Sequence, residues 1–146
     1  MEEWVKRGYL NEDFRLFHIR DKIELELNYH YHEFDKIVVF LSGQVTYVVE
    51  SKAYFLNPWD IVLVPHGQIH RPIIDTSEHY ERITLWIKPD YLKNSSLGGD
   101  DLRQCFARAE EKSFALIRPD SGARVTLMKL LSGVEAGERV VTKGGV

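Results

Sequence analysis

Three histidines are the residues whose types and spacing in this chain could do chemistry. His30 and His32 alternate, so on an extended strand their side chains share one face. His70 ends the motif at residues 65–70, directly after the apolar run at residues 61–64. Two short β segments of this kind predict that three imidazoles meet inside a barrel. Such imidazoles could hydrogen-bond a ligand or one another, or hold a metal ion.

The segments that must position these histidines have the patterns of short β-strands. Ile23, Leu25 and Leu27 alternate with polar residues ahead of the histidine pair, which predicts a half-buried strand. Short strands at roughly 8–12-residue spacing are typical of a sandwich or barrel. Gly43 is predicted to take a positive φ in a turn, and Pro58 to fix another turn. Six to eight strands are predicted: 14–20, 23–28, 36–41, 45–50, 53–56, 61–64, 69–74 and 82–87.

After Pro89 the pattern changes to amphipathic helices. A first helix, capped by Asp100 or Asp101, would place four residues on one face: Leu102, Cys105, Phe106 and Ala109. A second helix from Asp120 would turn its own apolar residues inward: Val125, Met128, Leu131 and Val134. These faces would either pack on the barrel or form a dimer seam. The predicted organisation is an arm over residues 1–13, a barrel over 14–88 and a helical segment over 89–146.

Composition excludes several classes of protein. The 146 residues suit one domain, and the 44% apolar and 28% charged fractions are those of a soluble globular protein. A net charge of −3 argues against nucleic-acid binding by this part of the protein. Cys105 is the single cysteine, so no disulfide forms within the chain and a reducing compartment is expected. With no signal core and no apolar run near 18 residues, approximately the length that spans a bilayer, we expect cytoplasmic localisation and no membrane partner.

The histidine motifs resemble those of a known family. His30-x-His32, then Gly43, then Pro65-x-Gly67-x-x-His70 resembles the two cupin motifs, and residues 56–65 resemble the cupin link into the second motif. The resemblance covers about residues 14–88. It implies a mainly β fold, a jelly-roll barrel with a central pocket, followed here by the amphipathic helices.

Three sequence segments resemble those of one cupin branch, the ligand-sensing N-terminal domain of AraC-type bacterial transcription regulators. They are residues 30–34, 65–72 and 80–86. The resemblance implies a small-molecule effector in the barrel and a homodimer formed through the C-terminal helices. It also implies DNA binding through a following domain with two helix-turn-helix units, which is absent here. After Gly133 the apolar face is lost and glycines gather, so we expect the chain to be cut inside a linker or an interface element.

The chain departs from the metal-binding cupin pattern at three positions. Lys36 stands where the family has a glutamate, and a cation there cannot be a ligand while protonated and would repel a metal ion. Ile74 replaces an asparagine, and Trp59 replaces the glycine of the second motif. Glu33 could supply a carboxylate only if the backbone bends, because it follows His32 directly and points to the other face.

The three histidines still match family ligand positions: His30, His32 and His70. A three-histidine set with a water can bind zinc, nickel or iron. The alternative is that these imidazoles hydrogen-bond one another or a small-molecule ligand.

Several further residues are predicted to line the pocket. The predicted ligand-binding set is His30, His32, Lys36, His70, Arg82, Thr84 and Trp86, with Arg71 as a further candidate for the wall. Aromatic faces with fixed polar groups suit a sugar or a similar polar metabolite. Trp86 could equally be core. We expect His18 to be structural and His66 and His79 to be exposed, and no phosphate-binding loop, nucleophile elbow or paired carboxylates are found.

Three functions follow from these patterns. The preferred one is the effector-sensing and dimerisation domain of an AraC-type regulator, with no catalytic chemistry in this half. The second is a stand-alone metal-dependent cupin enzyme, an isomerase or dioxygenase, which needs a bound metal with an open coordination site. The third is a non-catalytic cupin that serves only to oligomerise. Fold alone does not decide among them.

Overall fold

A computed structural model of the chain describes residues 5–6, 8–22, 28–94 and 103–137. Outside the described residues lie positions 23–27 of the strand predicted at 23–28, the predicted helix caps at Asp100 and Asp101, the predicted inward residue Leu102, and the end of the chain after residue 137.

The described chain forms short strands followed by helices. The strands are β1 Val5–Lys6, β2 Phe14–Asp21, β3 His30–Tyr31, β4 Asp35–Ser42, β5 Val45–Val49, β6 Lys52–Phe55, β7 Ile61–Val64, β8 His70–Ile74, β9 Tyr80–Ile87 and β10 Leu116–Ile117. The helices are α1 Pro89–Asn94, α2 Gln104–Lys112 and α3 Ser121–Gly137. No helix within the described residues is long and apolar enough to cross a membrane.

Two five-stranded sheets make the barrel. The first has the order β1-β3-β8-β5-β6, and the second has the order β10-β7-β4-β9-β2. All pairs are antiparallel except β1 with β3. The order makes β3 and β8 neighbours although about forty residues separate them in sequence. This architecture confirms the predicted fold, a jelly-roll β-barrel followed by helices.

The interior between the sheets is filled by apolar and aromatic side chains from alternate positions of the strands. Val38 and Phe40 lie on one face of β4, and Val62 and Val64 lie on one face of β7. Tyr47 of β5 packs in the same cluster. Burial of these side chains is the main stabilising contribution to the barrel.

The outer face of the second sheet is covered by α2 and α3. Phe106 and Ala109 of α2 pack on Leu63 and Ile87. The predicted inward face of α2 is therefore correct for Phe106 and Ala109, but wrong for Cys105, which is exposed. Partial burial of the Cys105 thiol raises its pKa, so the thiol stays protonated.

The apolar face of α3 differs from the predicted one. Leu127 and Leu131 lie one turn apart and pack against the sheet cluster that contains Val39. Val125 and Met128 consequently turn outward and are 51% and 42% exposed, so their predicted inward orientation is wrong. The side chain of Val134 lies outside the described ones.

The segment between α2 and α3 returns to the barrel. β10 pairs with β7, and Leu63 N donates to the carbonyl of Ala115 at 2.8 Å. Ala115 N in turn donates to the hydroxyl of Tyr54 at 3.0 Å. Arg118 then forms two 2.8 Å hydrogen bonds to the buried carboxylate of Asp60. The helical segment is thus tied to the sheet by backbone pairing and by an ion pair.

Two turns depend on a positive φ. Gly43 has a φ of 125°, as predicted, and an added Cβ would meet the carbonyl oxygen of His79 at 2.8 Å. Trp59 has a φ of 72° in the turn before β7, so it adopts the left-handed conformation that the glycine of the family pattern would favour. Its indole packs against the outer cluster of the second sheet. The turn is therefore kept without the glycine.

Candidate functional site

The structure brings the three predicted histidines together in the barrel. His30 on β3 pairs directly with His70 on β8, and His32 follows two residues after His30 on the same face. Their ring centroids lie 4.4–5.1 Å apart, and one ring nitrogen from each falls within 4.8 Å of the others. All three side chains are buried. This cluster is a candidate metal site.

Backbone carbonyls hold two of these rings in one tautomer. Nδ1 of His30 donates to the carbonyl of Asn28, and Nδ1 of His70 donates to that of Gln68, both at 2.9 Å. A neutral ring with its proton on Nδ1 carries its lone pair on Nε2. Metal-binding histidines commonly donate their other ring nitrogen to a carbonyl in this way.

The imidazole nitrogens of the cluster are chemically suited to bind a transition-metal ion. Burial, and next the nearby charge of Lys36, lowers the pKa of His70 well below its ordinary value, so the ring stays neutral as a ligand must. Nε2 of His70 is buried and has no hydrogen-bond partner within the described part of the chain. A set of three imidazoles suits zinc, nickel or iron.

Lys36 is the group that opposes a bound cation. It is fully buried on β4, with Nζ 5.7 Å from the ring centroid of Tyr47. Burial, and to a smaller extent the charge of Arg82, lowers the pKa of Lys36 to about 7. A substantial fraction of Lys36 is therefore neutral near physiological pH, which weakens its repulsion of a metal ion.

Three predicted ligand-binding residues come from β9, and two of them, Arg82 and Thr84, are polar. Arg82 is buried, pairs with the carboxylate of Asp21, and donates to the carbonyl of Tyr80 at 2.9 Å. Its guanidinium also lies 4.3 Å from the ring centroid of Tyr80. Thr84 is buried two residues further along the same strand. Both therefore face the interior, where fixed polar groups are needed to orient a polar ligand.

An aromatic wall flanks the histidines. Phe34 stacks on both His32 and Trp86, with centroid distances of 4.6 Å and 4.5 Å, and the rings of His32 and Trp86 lie 5.9 Å apart. The predicted residue Trp86 is buried, and its Nε1 has no hydrogen-bond partner among the described residues. Phe34 was not predicted as a site residue, although it continues the alternation of His30 and His32 and so shares their face.

Tyr47 is a second residue that the sequence reasoning missed. Its ring lies nearly parallel to that of His70, at a centroid distance of 6.2 Å. Its hydroxyl is buried without a hydrogen-bond partner within the described chain, and burial raises the pKa of Tyr47 well above its ordinary value. Nothing in the apolar run of β5 marks this tyrosine as polar lining, because its position next to His70 arises from sheet pairing.

The remaining candidates lie away from the cluster. Arg71 follows His70 on β8 and therefore points the other way, with its guanidinium 4.6 Å from the ring centroid of Tyr29, so it is not part of the inner wall. Glu33 is exposed and does not join the histidines. As predicted, His66 and His79 are exposed. Also as predicted, His18 is structural: it bonds Glu81 at 2.8 Å.

The N-terminal arm reaches the same region. β1 runs parallel to β3, with Val5 opposite His30. Gly8, with a φ of 72°, lies against the aromatic wall, where an added Cβ would be 3.1 Å from Trp86. Leu10 packs on the cluster that contains Phe34. The arm is therefore in contact with both the histidine-bearing strand and the aromatic wall.

Comparison with known proteins gives a family match for the barrel. Residues 22–87 match the family described as Cupin domain. None of the curated protein sequences matches the chain.

Several solved structures are similar to the chain. A conserved protein of unknown function from Streptococcus pyogenes is 19% identical, with 55% of this chain and 68% of that chain covered and a TM-score of 0.47. An RmlC-like cupin family protein from Methanocaldococcus jannaschii is 17% identical, with 54% and 74% covered and a TM-score of 0.46. A Cupin 2 conserved barrel domain protein from Salinispora arenicola is 18% identical, with 58% and 71% covered and a TM-score of 0.47.

Proposed function

We propose that this chain, which carries a cupin domain over residues 22–87, is the effector-sensing and dimerisation domain of a cytoplasmic AraC-type bacterial transcription regulator. One observation carries the proposal: the arm strand β1 pairs with β3, the strand that holds His30 in the polar interior. A ligand at the histidines thus contacts a strand that also anchors the arm.

The interior suits a small polar metabolite, of which a sugar is one example. Imidazole nitrogens of the histidine cluster and the hydroxyl of Thr84 would exchange hydrogen bonds with ligand hydroxyls. The faces of Trp86 and Phe34 would pack against the apolar side of a ring. These groups bind and orient a ligand without providing a nucleophile.

Binding would be transmitted by a difference in affinity between two arrangements of the arm. A ligand shifts such an equilibrium only by as much as it favours one arrangement. Gly8 and Leu10 contact the aromatic wall. A ligand that moves Phe34 or Trp86 therefore changes the surface on which the arm packs.

The C-terminal helices would supply the dimer contact. Val125 and Met128 are three residues apart on α3, share a side of the helix, and are both exposed. Exposed apolar side chains grouped on one helix face are typical of a surface that meets a partner. In this proposal DNA is bound by a further domain with two helix-turn-helix units, outside this chain.

The proposal is tested by calorimetry of the purified chain against a library of sugars and aromatic acids. We expect at least one binder, whose affinity falls about tenfold or more in Thr84→Val, a change of nearly constant shape that removes one hydroxyl. Hydrogen exchange at residues 8–10 should change when that binder is added. Failure of every library member to bind would count against the proposal.

A metal-dependent cupin enzyme is the second candidate, and the cluster of three buried imidazoles, with a neutral His70, favours it. His30, His32 and His70 would hold the ion, which would supply Lewis-acid or redox chemistry when bound. The lysine beside the cluster disfavours this candidate. Stoichiometric metal in the purified protein, together with turnover that is lost in His30→Ala, would establish the enzyme and exclude the purely sensing role.

A further inference from the structure

Two buried polar atoms in the barrel interior lack partners although their rings are neighbours. Within the described residues, the hydroxyl of Tyr47 and Nε2 of His70 are buried, and neither atom has a hydrogen-bond partner. The two rings are nearly parallel, with an interplanar angle of 11° and centroids 6.2 Å apart. The hydroxyl and Nε2 therefore do not bond each other. Because a buried polar group without a partner costs free energy, a bound molecule that reaches both atoms would be stabilised.

The two atoms have opposite hydrogen-bonding roles. Burial, with a smaller contribution from Tyr80, raises the pKa of Tyr47 well above its ordinary value, so the hydroxyl keeps its proton and can donate. Nδ1 of His70 donates to the carbonyl of Gln68, so Nε2 carries the lone pair and accepts. A ligand that satisfies both atoms needs an acceptor for Tyr47 and, close to it, a donor for His70.

The surroundings of the Tyr47 hydroxyl favour an acceptor with negative charge. Lys36 is fully buried, with Nζ 5.7 Å from the ring centroid of Tyr47. After burial, the charge of Arg82 is the cause that lowers the pKa of Lys36, and the same charge limits the rise at Tyr47. Asp21, which pairs with Arg82, is 47% exposed against 2% for the guanidinium, so solvent screens the acidic member more strongly. The net field at Tyr47 is therefore positive.

The buried carboxylates of the described chain are engaged elsewhere. Asp35 accepts hydrogen bonds from the backbone N and the Nδ1 of His66, and Asp60 pairs with Arg118. Alternation along β4 also places Asp35 on the strand face that points away from the barrel interior. Neither carboxylate supplies the acceptor that the Tyr47 hydroxyl needs, whereas a bound organic anion would.

We propose that the barrel interior binds a 2-hydroxy acid. The carboxylate accepts a hydrogen bond from the Tyr47 hydroxyl, in the positive field of Lys36 and Arg82. The adjacent hydroxyl of the ligand donates to Nε2 of His70. This inference rests on the proposed polar-metabolite site and names its ligand class. Tyr47 is the residue that determines specificity, because its hydroxyl selects the acceptor.

Two series of probes test this ligand class by titration calorimetry on the whole chain, without added metal. One series is lactate, lactamide and propionate, and the other is mandelate, mandelamide and phenylacetate. In each series the second compound lacks the charge and the third lacks the hydroxyl. We expect the hydroxy acid of at least one series to bind about tenfold or more tightly than both of its relatives. Absence of this preference in both series would overturn the proposal.

Matched variants locate the binding groups. Tyr47→Phe removes only the hydroxyl and should weaken hydroxy-acid binding about tenfold or more, whereas Tyr9→Phe, at an exposed ring, should not change it. Lys36→Met should bring the affinity for the acid towards that for the amide. Lys129→Met, at an exposed position, should keep the preference for the acid. Hydroxy-acid binding that survives Tyr47→Phe would place the ligand elsewhere and overturn the proposal.

Melting temperatures of the ligand-free variants separate a binding role of the hydroxyl from a structural one. An unpartnered hydroxyl adds no hydrogen bond to the fold, so Tyr47→Phe should melt at or above the temperature of the unchanged protein. Tyr54→Phe loses the bond donated by Ala115 N and should melt lower. Equal losses in both variants would show that the Tyr47 hydroxyl has a structural partner, contrary to the proposal.

Hydrogen exchange distinguishes failure of this inference from failure of the proposed function. If a hydroxy acid binds through Tyr47 but residues 8–10 keep their exchange rates, the ligand class is supported and the sensing role is refuted. If a neutral compound binds and changes exchange at residues 8–10 while no hydroxy acid is preferred, the sensing role is supported and the ligand class is refuted.

Discussion

His30 and His70 are direct cross-strand partners, and each imidazole donates from Nδ1 to the backbone carbonyl two residues before it. Their ring centroids are 4.4 Å apart. The same local bond thus fixes both rings in the tautomer whose Nε2 carries the lone pair. This pairing makes the interior a set of acceptor nitrogens, which serves either a metal ion or the hydroxyl groups of a ligand.

Removal of one imidazole should sharply weaken the binding of a metal ion. With a chelator-treated protein, we expect titration with zinc to show one site per chain, and His70→Ala to weaken it roughly a hundredfold or more, because one of three ligands is lost. His79→Ala, which changes an exposed histidine, should bind zinc as the unchanged protein does. Zinc binding that survives His70→Ala would place the metal at another site.

Lys36 should make the stability of the metal-free protein rise with pH from about 7 towards the ordinary tyrosine pKa of 10.0, near which the raised pKa values of the buried Tyr47 and Tyr80 oppose it. The pKa of Lys36 is about 7 when folded and 10.5 in the ordinary state, so across this interval the unfolded chain binds more protons. Each pH unit contributes at most about 1.4 kcal/mol to the free energy of unfolding. Urea unfolding at several pH values measures this slope.

Lys36→Met isolates the contribution of that lysine. The slope should flatten in this variant, because the buried titrating group is replaced by an apolar side chain of similar length. Lys129→Met, at an exposed position on α3, should keep the slope of the unchanged protein. Identical slopes in all three proteins would refute the assignment to Lys36.

At position 59, a glycine variant should be more stable than an alanine variant. Both Trp59→Gly and Trp59→Ala lose the packed indole, but only glycine adopts the φ of 72° without strain. We expect the glycine variant to be more stable than the alanine variant by about 1 kcal/mol in the free energy of unfolding. At Phe55, on an exposed strand position, the order should reverse. The same order at both positions would argue against backbone strain.

The ion pair between Asp60 and Arg118 should stabilise the return of β10 to the barrel. Among the described residues, Arg118→Ala leaves the buried Asp60 carboxylate with the bond from Asn57 N at 2.7 Å. We expect a lower free energy of unfolding, because the buried carboxylate loses two hydrogen bonds. Arg118→Lys keeps the charge without the two-pronged geometry and should recover only part of this loss. An unchanged unfolding midpoint in Arg118→Ala would contradict the expectation.

The dimer seam should lie on one side of α3. Val125→Glu and Met128→Glu each place a charge in that side, so sedimentation equilibrium should show at least tenfold weaker dimers. Leu130→Glu introduces the same charge on another side of the helix and should leave the dimer unchanged. Equal effects of all three changes, or a monomeric starting protein, would count against this seam.

Part of the site follows directly from the sequence. Alternation places His30 and His32 on one face, and the same alternation could have placed Phe34 there. Tyr47 could not have been found in this way, because it reaches His70 through the pairing of β5 with β8. The predicted inward orientation of Val125 was wrong because the apolar residues of α3 extend over more than one side of the helix. Leu127 and Leu131 are the ones that pack on the sheet.

The sequence by itself determined the strand pattern, the barrel class, the turn at Gly43 and the shared face of His30 and His32, because these depend on local periodicity and backbone conformation. Tertiary structure decided what depends on which strands become neighbours. It placed His70 opposite His30, buried Lys36 beside them, and set the arm against Trp86. Those contacts join residues far apart in the chain. Burial, which shifts the pKa values of His70 and Lys36, exists only once the sheets have closed.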